Sequence, residues 1–320
     1  SVSLADGLTR SHLLWSWDTY RESTVNVTVT GRTPGMAARA VGGDLTSGAA
    51  LPAGTSTFTL YPYWYGAASM PVNLRVLEWQ ADAAGLPVTY GKFGVATPTL
   101  TDGVTEAVEV ALGAPAGTST LSGTMSTPAG HTAARLAPYL RFPGVNLLLP
   151  TYTSAPATWS YAVPVVDGTT LIMNASATDA AGGTTTASQW DLAPGATGVA
   201  LAPWPAPAAI EPVAAATGVG PGTRFAWSGG HGYRYALVYP KYPTTGPSFI
   251  LFSSADEVTF PDLTPFGVTL PAGGTYNWRV SCYSDDRYTW DNDGLMSPYP
   301  MWATSGRHNG STALRTFTFK

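Results

Sequence analysis

Four aspartates lie close together near the end of the chain, in the stretch "SDDRYTWDNDG" (284–294). Carboxylate oxygens suit calcium, which takes roughly six to eight oxygen ligands in flexible geometry. The helix–loop–helix calcium motif does not fit, because aligning it on Gly294 puts Thr289 at the first ligand position and Pro300 at the last. Two interpretations stay open, a calcium site of another kind and a solvated acidic loop. The candidate ligands are Asp285, Asp286, Asp291 and Asp293.

The aspartates belong to a longer stretch, 284–311, in which no strand pattern is present. Loops longer than ~12–15 residues are uncommon in compact domains unless they bind something or are disordered. The many aromatic residues argue against disorder. The loop is therefore expected either to pack its rings against the protein as a lid or to contact a ligand. Its candidate ligand-binding residues are Arg287, Tyr288, Trp290, Tyr299, Trp302 and His308.

A second aromatic stretch is "LYPYWYGAASM" (60–70). Successive side chains of a strand point to opposite faces, so the four rings at 61 and 63–65 cannot all enter one core. Either a neighbouring domain buries the strand on both sides, or part of it forms a platform for a sugar or a protein. Tyr63 and Trp64 are the candidate binding residues here.

Residues suited to catalysis are sparse. The four histidines are scattered and Cys282 is the only cysteine, so a zinc site lacks ligands and an intrachain disulfide is excluded. No nucleophile elbow or phosphate-binding glycine loop is present. We therefore expect no catalysis and, apart from the calcium hypothesis, no cofactor. Paired carboxylates could hydrolyse a glycan, and the candidates for that alternative are Glu78, Asp285 and Asp286.

The overall composition favours an all-β protein. Only 11% of the 320 residues are charged, while the chain contains 35 glycines and 27 prolines. The aromatic content of 12% argues against disorder, so the glycines and prolines indicate many tight turns. The net charge is −4 without a basic run, which argues against nucleic acid, and no apolar stretch reaches the ~20 residues of a membrane span. A Thr-, Gly-, Ala- and Pro-rich, Lys-poor composition is typical of exported bacterial proteins, outside the cell or on its surface.

Weak internal repetition suggests the domain organisation. "LPAGTSTFTL" (51–60) recurs as "APAGTSTLSG" (114–123) and "LPAGGTYNWRV" (270–280), each predicted as a type II turn followed by a strand. "AVEVALGAP" (107–115) and "TGVALAPWP" (197–205) resemble matching closing strands. We predict an N-terminal segment at 1–20 and tandem β-sandwich domains at 21–112, 113–204 and 205–320.

Alternating polar and apolar residues predict the individual strands. These are "TVNVTVT", "STFTLYPYW", "VNLRVLEW", "TEAVEVAL", "ATWSYAVPV", "TTLIMNASA", "YRYALVYP" and "TYNWRVSCY". "TRFAWSGGHGYRYALVYP" (223–240) is interpreted as a hairpin with a glycine-rich turn. The segment "LLWSWDTY" (13–20) could pair with any of the three domains.

The C-terminal domain, about 208–320, resembles the fibronectin type III, immunoglobulin-like fold. The resemblance rests on Leu270, Pro271 and Gly273 preceding Tyr276, where that family has a leucine–proline–glycine turn before a corner tyrosine. It implies that the Tyr276 hydroxyl bonds to the backbone and that the ring packs in the core. It also implies two facing sets of core residues, Trp278, Val280 and Cys282 on one sheet and Phe225 and Trp227 on the other. The remaining domains resemble bacterial surface β-sandwiches only loosely.

The function expected from these features is non-catalytic binding outside the cytoplasm. The partner would be a glycan or a protein at the cell surface, contacted through aromatic-rich loops. The alternatives are a secreted carbohydrate-active hydrolase and a structural subunit of an extracellular assembly.

Overall fold

The computed structural model describes residues 2–3, 10–11, 19–42, 48–142, 145–230, 232–253, 255–284 and 308–320. These residues form an all-β structure, which confirms the fold class expected from composition. The one helix among them is a short 3-10 turn, Thr264–Phe266. No helix in these ranges is long and apolar enough to cross a membrane.

The strands are numbered in chain order. Those of the first part of the chain are β1 (Val2–Ser3), β2 (Arg10–Ser11), β3 (Tyr20–Glu22), β4 (Thr24–Thr30), β5 (Ala37–Gly42), β6 (Gly48–Leu51), β7 (Thr57–Leu60), β8 (Tyr63–Tyr65), β9 (Ser69–Pro71), β10 (Leu74–Ala81), β11 (Pro87–Ala96), β12 (Thr99–Thr101) and β13 (Thr105–Ala111). Those of the middle part are β14 (Ala114–Pro115), β15 (Gly117–Met125), β16 (His131–Phe142), β17 (Val145–Leu148), β18 (Thr158–Val165), β19 (Thr170–Asp179), β20 (Thr184–Leu192) and β21 (Val199–Leu201). Those of the last part are β22 (Ala208–Glu211), β23 (Ala216–Val219), β24 (Arg224–Ser228), β25 (Tyr233–Pro240), β26 (Phe249–Ser253), β27 (Glu257–Thr259), β28 (Thr275–Ser284), β29 (His308–Ser311) and β30 (Arg315–Phe319).

Alternation in the sequence places the strands correctly. In β4 the three valines at 25, 27 and 29 are buried, while the intervening Asn26 and Thr28 are exposed. The predicted strand 56–64 is different, because it divides into β7 and β8 at Tyr61 and Pro62. Proline has no backbone N–H to give to a strand ladder, and the carbonyl of Pro62 instead accepts a hydrogen bond from Ser23 N at 3.0 Å.

In the part of the chain that the structure describes, a strand pairs in parallel with a later strand in three places. β4 pairs with β13, β15 pairs with β21, and β23 pairs with β30, each in parallel. The two closing strands matched in sequence, at 107–115 and 197–205, contribute β13 and β21 to these pairs. The weak internal repetition therefore corresponds to a shared strand arrangement.

The turn repeat is reproduced in two of its three copies. Gly54 and Gly273 adopt φ values of 84° and 72°, in the left-handed region that glycine tolerates. Thr55 N donates to Pro52 O at 3.1 Å, and Gly274 N donates to Pro271 O at 3.0 Å. The middle copy was predicted wrongly. Ala114 and Pro115 form β14 against β11, and Gly117 begins β15 with extended backbone, so no such turn forms there.

Three hydrophobic clusters form the core of the described structure. One lies within 25–112, the second joins residues of 41–90 to residues of 116–201, and the third lies within 219–317. Strand β20 also pairs with β29, so a single sheet runs from β17 through β16, β19, β20, β29, β28 and β25 to β26. Packing and hydrogen bonding thus continue across residues 112 and 204, and the domain boundaries placed there stay a prediction.

The C-terminal core matches the face assignments made from the sequence. Tyr276, Trp278 and Phe225 are fully buried, and the rings of Phe225 and Trp278 meet edge-on at 5.0 Å. Phe225 lies on the sheet β22–β24–β27, opposite the sheet that carries β28. Strands β24 and β25 therefore lie in different sheets, and the hairpin interpreted at 223–240 is wrong.

The Tyr276 hydroxyl differs from what the fibronectin type III resemblance implies. The ring is buried and stacks on Phe317 at 5.8 Å. The hydroxyl, however, has no hydrogen-bond partner in the described part of the chain, and burial raises its pKa. Membership of that family stays a prediction.

Candidate functional site

Three exposed tyrosines lie on the surface of the first part of the chain. Strand β3 pairs antiparallel with β8, so that Glu22 lies opposite Tyr63. Tyr20 and Tyr63 stack with ring centroids 5.9 Å apart and planes 23° apart. Tyr20, Tyr61 and Tyr63 are 52%, 70% and 37% exposed. We call these three residues the tyrosine face.

Trp64, between the exposed tyrosines, points inward. It is 4% exposed and packs in the cluster with Val25 and Leu100, and its Nε1 donates to Ala67 O at 2.8 Å. The strand is therefore not buried on both sides. One side anchors it in the core through Trp64, and the other presents Tyr61 and Tyr63 to solvent.

Hydrogen bonds to Asp102 hold strand β3 in place. Asp102 accepts one from Arg21 at 2.7 Å and one from Glu22 N at 3.1 Å. Gly103 N donates to Glu22 O at 2.8 Å. The bond from Arg21 and the bond from Glu22 N lower the pKa of Asp102, because both favour the ionised carboxylate. The short strand that carries Tyr20 is thus fixed by side-chain and backbone contacts.

The tyrosine face combines flat apolar surface with polar groups at its edge. The Tyr20 hydroxyl donates to the carboxylate of Glu22 at 3.1 Å, so a carboxylate lies beside the stacked rings. Tyrosine offers a rigid apolar ring with a hydroxyl at its tip, and such residues are frequent in binding surfaces. The arrangement can stack against the apolar side of a ligand while Glu22 accepts hydrogen bonds from it.

Glu78, a candidate for glycan hydrolysis, is a buried structural residue. It is 0% exposed on β10 and accepts hydrogen bonds from Thr33 N (2.9 Å), Thr33 Oγ1 (2.6 Å) and Lys92 N (3.0 Å). A Cβ at Gly91 would lie 2.7 Å from Glu78 Oε1, so glycine there leaves room for the carboxylate. Glu78 ties the loop before β5 to strand β11, and its side chain is shielded from solvent.

His308, a candidate from the long loop, lies on strand β29 and is half-buried, so the prediction that 284–311 contains no strand is wrong for 308–311. Its ring stacks on Trp204 with centroids 3.9 Å apart and planes 5° apart. The two rings line a small cleft together with Thr185, Pro205, Cys282 and Asn309. The ring of His308 is thus partly covered by the protein itself.

The remaining candidates from the long loop lie outside the described residues. These are the ligand-binding candidates Arg287, Tyr288, Trp290, Tyr299 and Trp302 and the calcium candidates Asp285, Asp286, Asp291 and Asp293. Across the ranges that are described, no three His, Cys, Asp or Glu side chains form a group that could hold a metal ion. The calcium and loop-binding hypotheses stay predictions.

Sequence reasoning did not single out Tyr20 or Arg21. Tyr20 ends the segment 13–20, whose partner was left open, and the structure pairs it with β8. The aromatic stretch 60–70 was the signal that could have located Tyr20, because a strand with outward-facing rings needs a neighbouring strand to pair with. Trp204 lies in a proline-rich stretch that sequence reasoning did not single out for binding, and its stacking on His308 joins positions far apart in the sequence.

Comparison with known proteins gives no family. No protein-family model matches the chain, and no curated protein matches it. Among solved structures, the Bacillus anthracis TIE protein is 11% identical with a TM-score of 0.18, covering 82% of this chain and 45% of that one. A leucine-rich repeat protein from Bacteroides thetaiotaomicron VPI-5482 is 12% identical with a TM-score of 0.15, covering 54% and 23%. The chain thus spans less than half the length of either protein, and similarities this low carry no argument.

Proposed function

We propose that the protein is a non-catalytic binding protein that acts outside the cytoplasm and recognises a glycan through its tyrosine face. The observation that carries the proposal is the outward exposure of Tyr20, Tyr61 and Tyr63 beside the Glu22 carboxylate. Localisation outside the cytoplasm rests on the composition, which is poor in lysine and rich in threonine, glycine and proline.

A glycan suits this surface for chemical reasons. The C–H side of a sugar ring is apolar and flat, and the exposed rings of Tyr61 and Tyr63 can cover it. Hydroxyl groups at the edge of the same sugar can donate to Glu22. Binding by such a shallow surface needs no enclosed pocket, and each of the three tyrosine rings is exposed in part. A protein ligand is the other outcome that the experiment below separates.

A glycan array with matched variants tests the proposal. We expect the wild-type protein to retain one group of glycans, and both Tyr61→Ala and Tyr63→Ala to lose it. Truncating a central aromatic contact costs about 2 kcal/mol in a typical interface, which is about 30-fold in affinity. Tyr242→Ala is the control, because Tyr242 is 92% exposed but lies between β25 and β26, in the last part of the chain.

Three results would count against the proposal. Retention of no glycan by the wild type would remove the ligand class, and capture of a purified surface protein that depends on Tyr61 would assign the face to protein recognition. Equal loss in the Tyr242→Ala control would show that retention depends on exposed tyrosines in general.

A further inference from the structure

The Glu22 carboxylate is exposed, and no cation of the described residues pairs with it. None of the ion pairs in the part of the chain that the structure describes includes Glu22. One of its oxygens, Oε2, accepts the hydroxyl of Tyr20 at 3.1 Å. Because a carboxylate can accept about four hydrogen bonds through its two oxygens, this group can still accept hydrogen bonds from a ligand.

Strand register places this carboxylate on the same side as the two stacked rings. Glu22 lies opposite Tyr63 in the antiparallel pair of β3 and β8, and opposite residues share a face. Tyr20 lies two residues before Glu22 on β3, and residues at that spacing point to the same side of a strand. The stacking of Tyr20 on Tyr63, with centroids 5.9 Å apart, agrees with this placement. The carboxylate and the rings thus belong to one surface.

The adjacent arginine, Arg21, points to the other side of the strand. It lies opposite Trp64, whose ring packs in the core. Its guanidinium donates to Asp102 at 2.7 Å and to Gly66 O at 3.3 Å. The charges of Arg21 and Asp102 therefore offset each other, and the carboxylate of Glu22 leaves the tyrosine face negative.

A negative surface that contains aromatic rings favours a cationic ligand over a neutral or an acidic one. A hydrogen bond in which donor or acceptor is charged is roughly twice as strong as a neutral one. The face of a tyrosine ring also attracts cations. An acidic sugar would be repelled by Glu22, because like charges across an interface oppose binding. Sugars with a free amino group are the cationic members of the glycan class.

We propose that the tyrosine face selects amino sugars, with Glu22 binding the ammonium group while the tyrosine rings cover the sugar ring. This inference rests on the proposed function, since it names the class of glycan that the same face recognises. An ammonium group offers three N–H donors and a full positive charge, whereas a sugar hydroxyl offers one donor and no charge. N-acetylation removes the charge, so the protein should distinguish a free amino sugar from its acetylated form.

Titration calorimetry of the full chain with three matched tetrasaccharides tests the selection. The probes share one linkage and differ in one ring substituent. They are the glucosamine tetrasaccharide with free amino groups, its N-acetylated form, and cellotetraose with hydroxyl groups. We expect the wild type to bind the glucosamine tetrasaccharide about fivefold more tightly than the other two in low salt, which is the upper range for an exposed ion pair. Added salt should reduce this difference, because it screens the charges.

Variants of Glu22 separate selection by this carboxylate from attraction by the net charge of −4. Glu22→Gln keeps the size of the side chain and an acceptor for the Tyr20 hydroxyl but removes the charge, and Glu22→Lys reverses the charge. We expect the fivefold preference for the free amino form to disappear in Glu22→Gln and to be inverted in Glu22→Lys. Glu109→Gln is the control and should keep the preference, because Glu109 is likewise exposed and accepts one hydroxyl hydrogen bond, from Thr30, but lies on β13.

The selection of amino sugars is overturned if the wild type binds the three tetrasaccharides equally or binds none of them. It is also overturned if Glu109→Gln reduces the preference as much as Glu22→Gln does. Equal binding of the three probes that is lost in Tyr61→Ala would leave the proposed function standing without the selection. Binding that is unchanged in both Tyr61→Ala and Tyr63→Ala would overturn the proposed function itself.

Discussion

Replacement of Glu78 distinguishes a structural carboxylate from a catalytic one. Glu78→Ala removes a fully buried hydrogen-bond acceptor and leaves two backbone N–H groups and the Thr33 hydroxyl without their partner. A buried donor left unsatisfied costs about 1–3 kcal/mol. Arg32 is nearby, and the negative charge of Glu78 partly offsets the lowering of the Arg32 pKa by burial.

These effects are not additive, because the same loop relaxes around all of them. With three donors left unsatisfied and the loop partly relaxing around them, we expect Glu78→Ala to lose about 3 kcal/mol or more. Glu78→Gln should lose nearly as much, since its amide nitrogen would face donors. The measurement is chemical unfolding followed by tryptophan fluorescence, which Trp79 on the same strand should report.

Glu109→Gln is the matched control for Glu78. Glu109 is exposed and accepts one hydrogen bond, from Thr30 Oγ1 at 2.8 Å, so its replacement should stay within about 0.5 kcal/mol. A loss below ~1 kcal/mol for Glu78→Gln would refute the structural role. If polysaccharide turnover by the wild type were found and were lost in that stable variant, Glu78 would be catalytic.

Three other substitutions test separate parts of the structure. Tyr276→Phe should leave the free energy of unfolding in urea unchanged or raise it by up to ~1 kcal/mol, because it removes a buried hydroxyl without a partner. A clear loss of stability would indicate that the hydroxyl makes the hydrogen bond implied by the fibronectin type III resemblance. Trp64→Ala should destabilise the protein by ~3–5 kcal/mol, because it truncates a buried side chain, whereas Tyr61→Ala should change stability by no more than ~0.5 kcal/mol. Similar losses for both variants would contradict the inward orientation of Trp64 and the outward orientation of Tyr61. Asp102→Asn should be less stable than the wild type at neutral pH. That difference should disappear on acidification, because a lowered folded pKa gives stability that is present above the unfolded value, near 3.9, and is lost as pH falls through the folded one. A difference that does not shrink as the pH falls below the unfolded value would contradict the pairing with Arg21.

Strand positions could be predicted from the sequence because they depend on local alternation. The valines of β4 illustrate this, since burial on one face imposes a period of two. The paired turns at Gly54 and Gly273 could also be predicted, because glycine chemistry is local. The same motif failed at Gly117, where pairing of the preceding residues with β11 overrides it.

Pairing between distant strands could not be predicted in this way. Thr184 pairs with Ser311 and joins the middle part of the chain to the last part in one sheet, and no local pattern encodes that contact. The role of Glu78 was hidden for a different reason, since a lone carboxylate in an apolar strand looks alike whether it is catalytic or structural.

Equilibrium titration of the array-selected glycan, with recovery of the glycan afterwards, tests the central claim most directly. The account predicts saturable binding by the wild type, an affinity about 30-fold weaker for Tyr61→Ala and Tyr63→Ala, and recovery of the glycan intact. Unchanged affinity in both variants, or recovery of a shortened glycan, would contradict binding through the tyrosine face without catalysis.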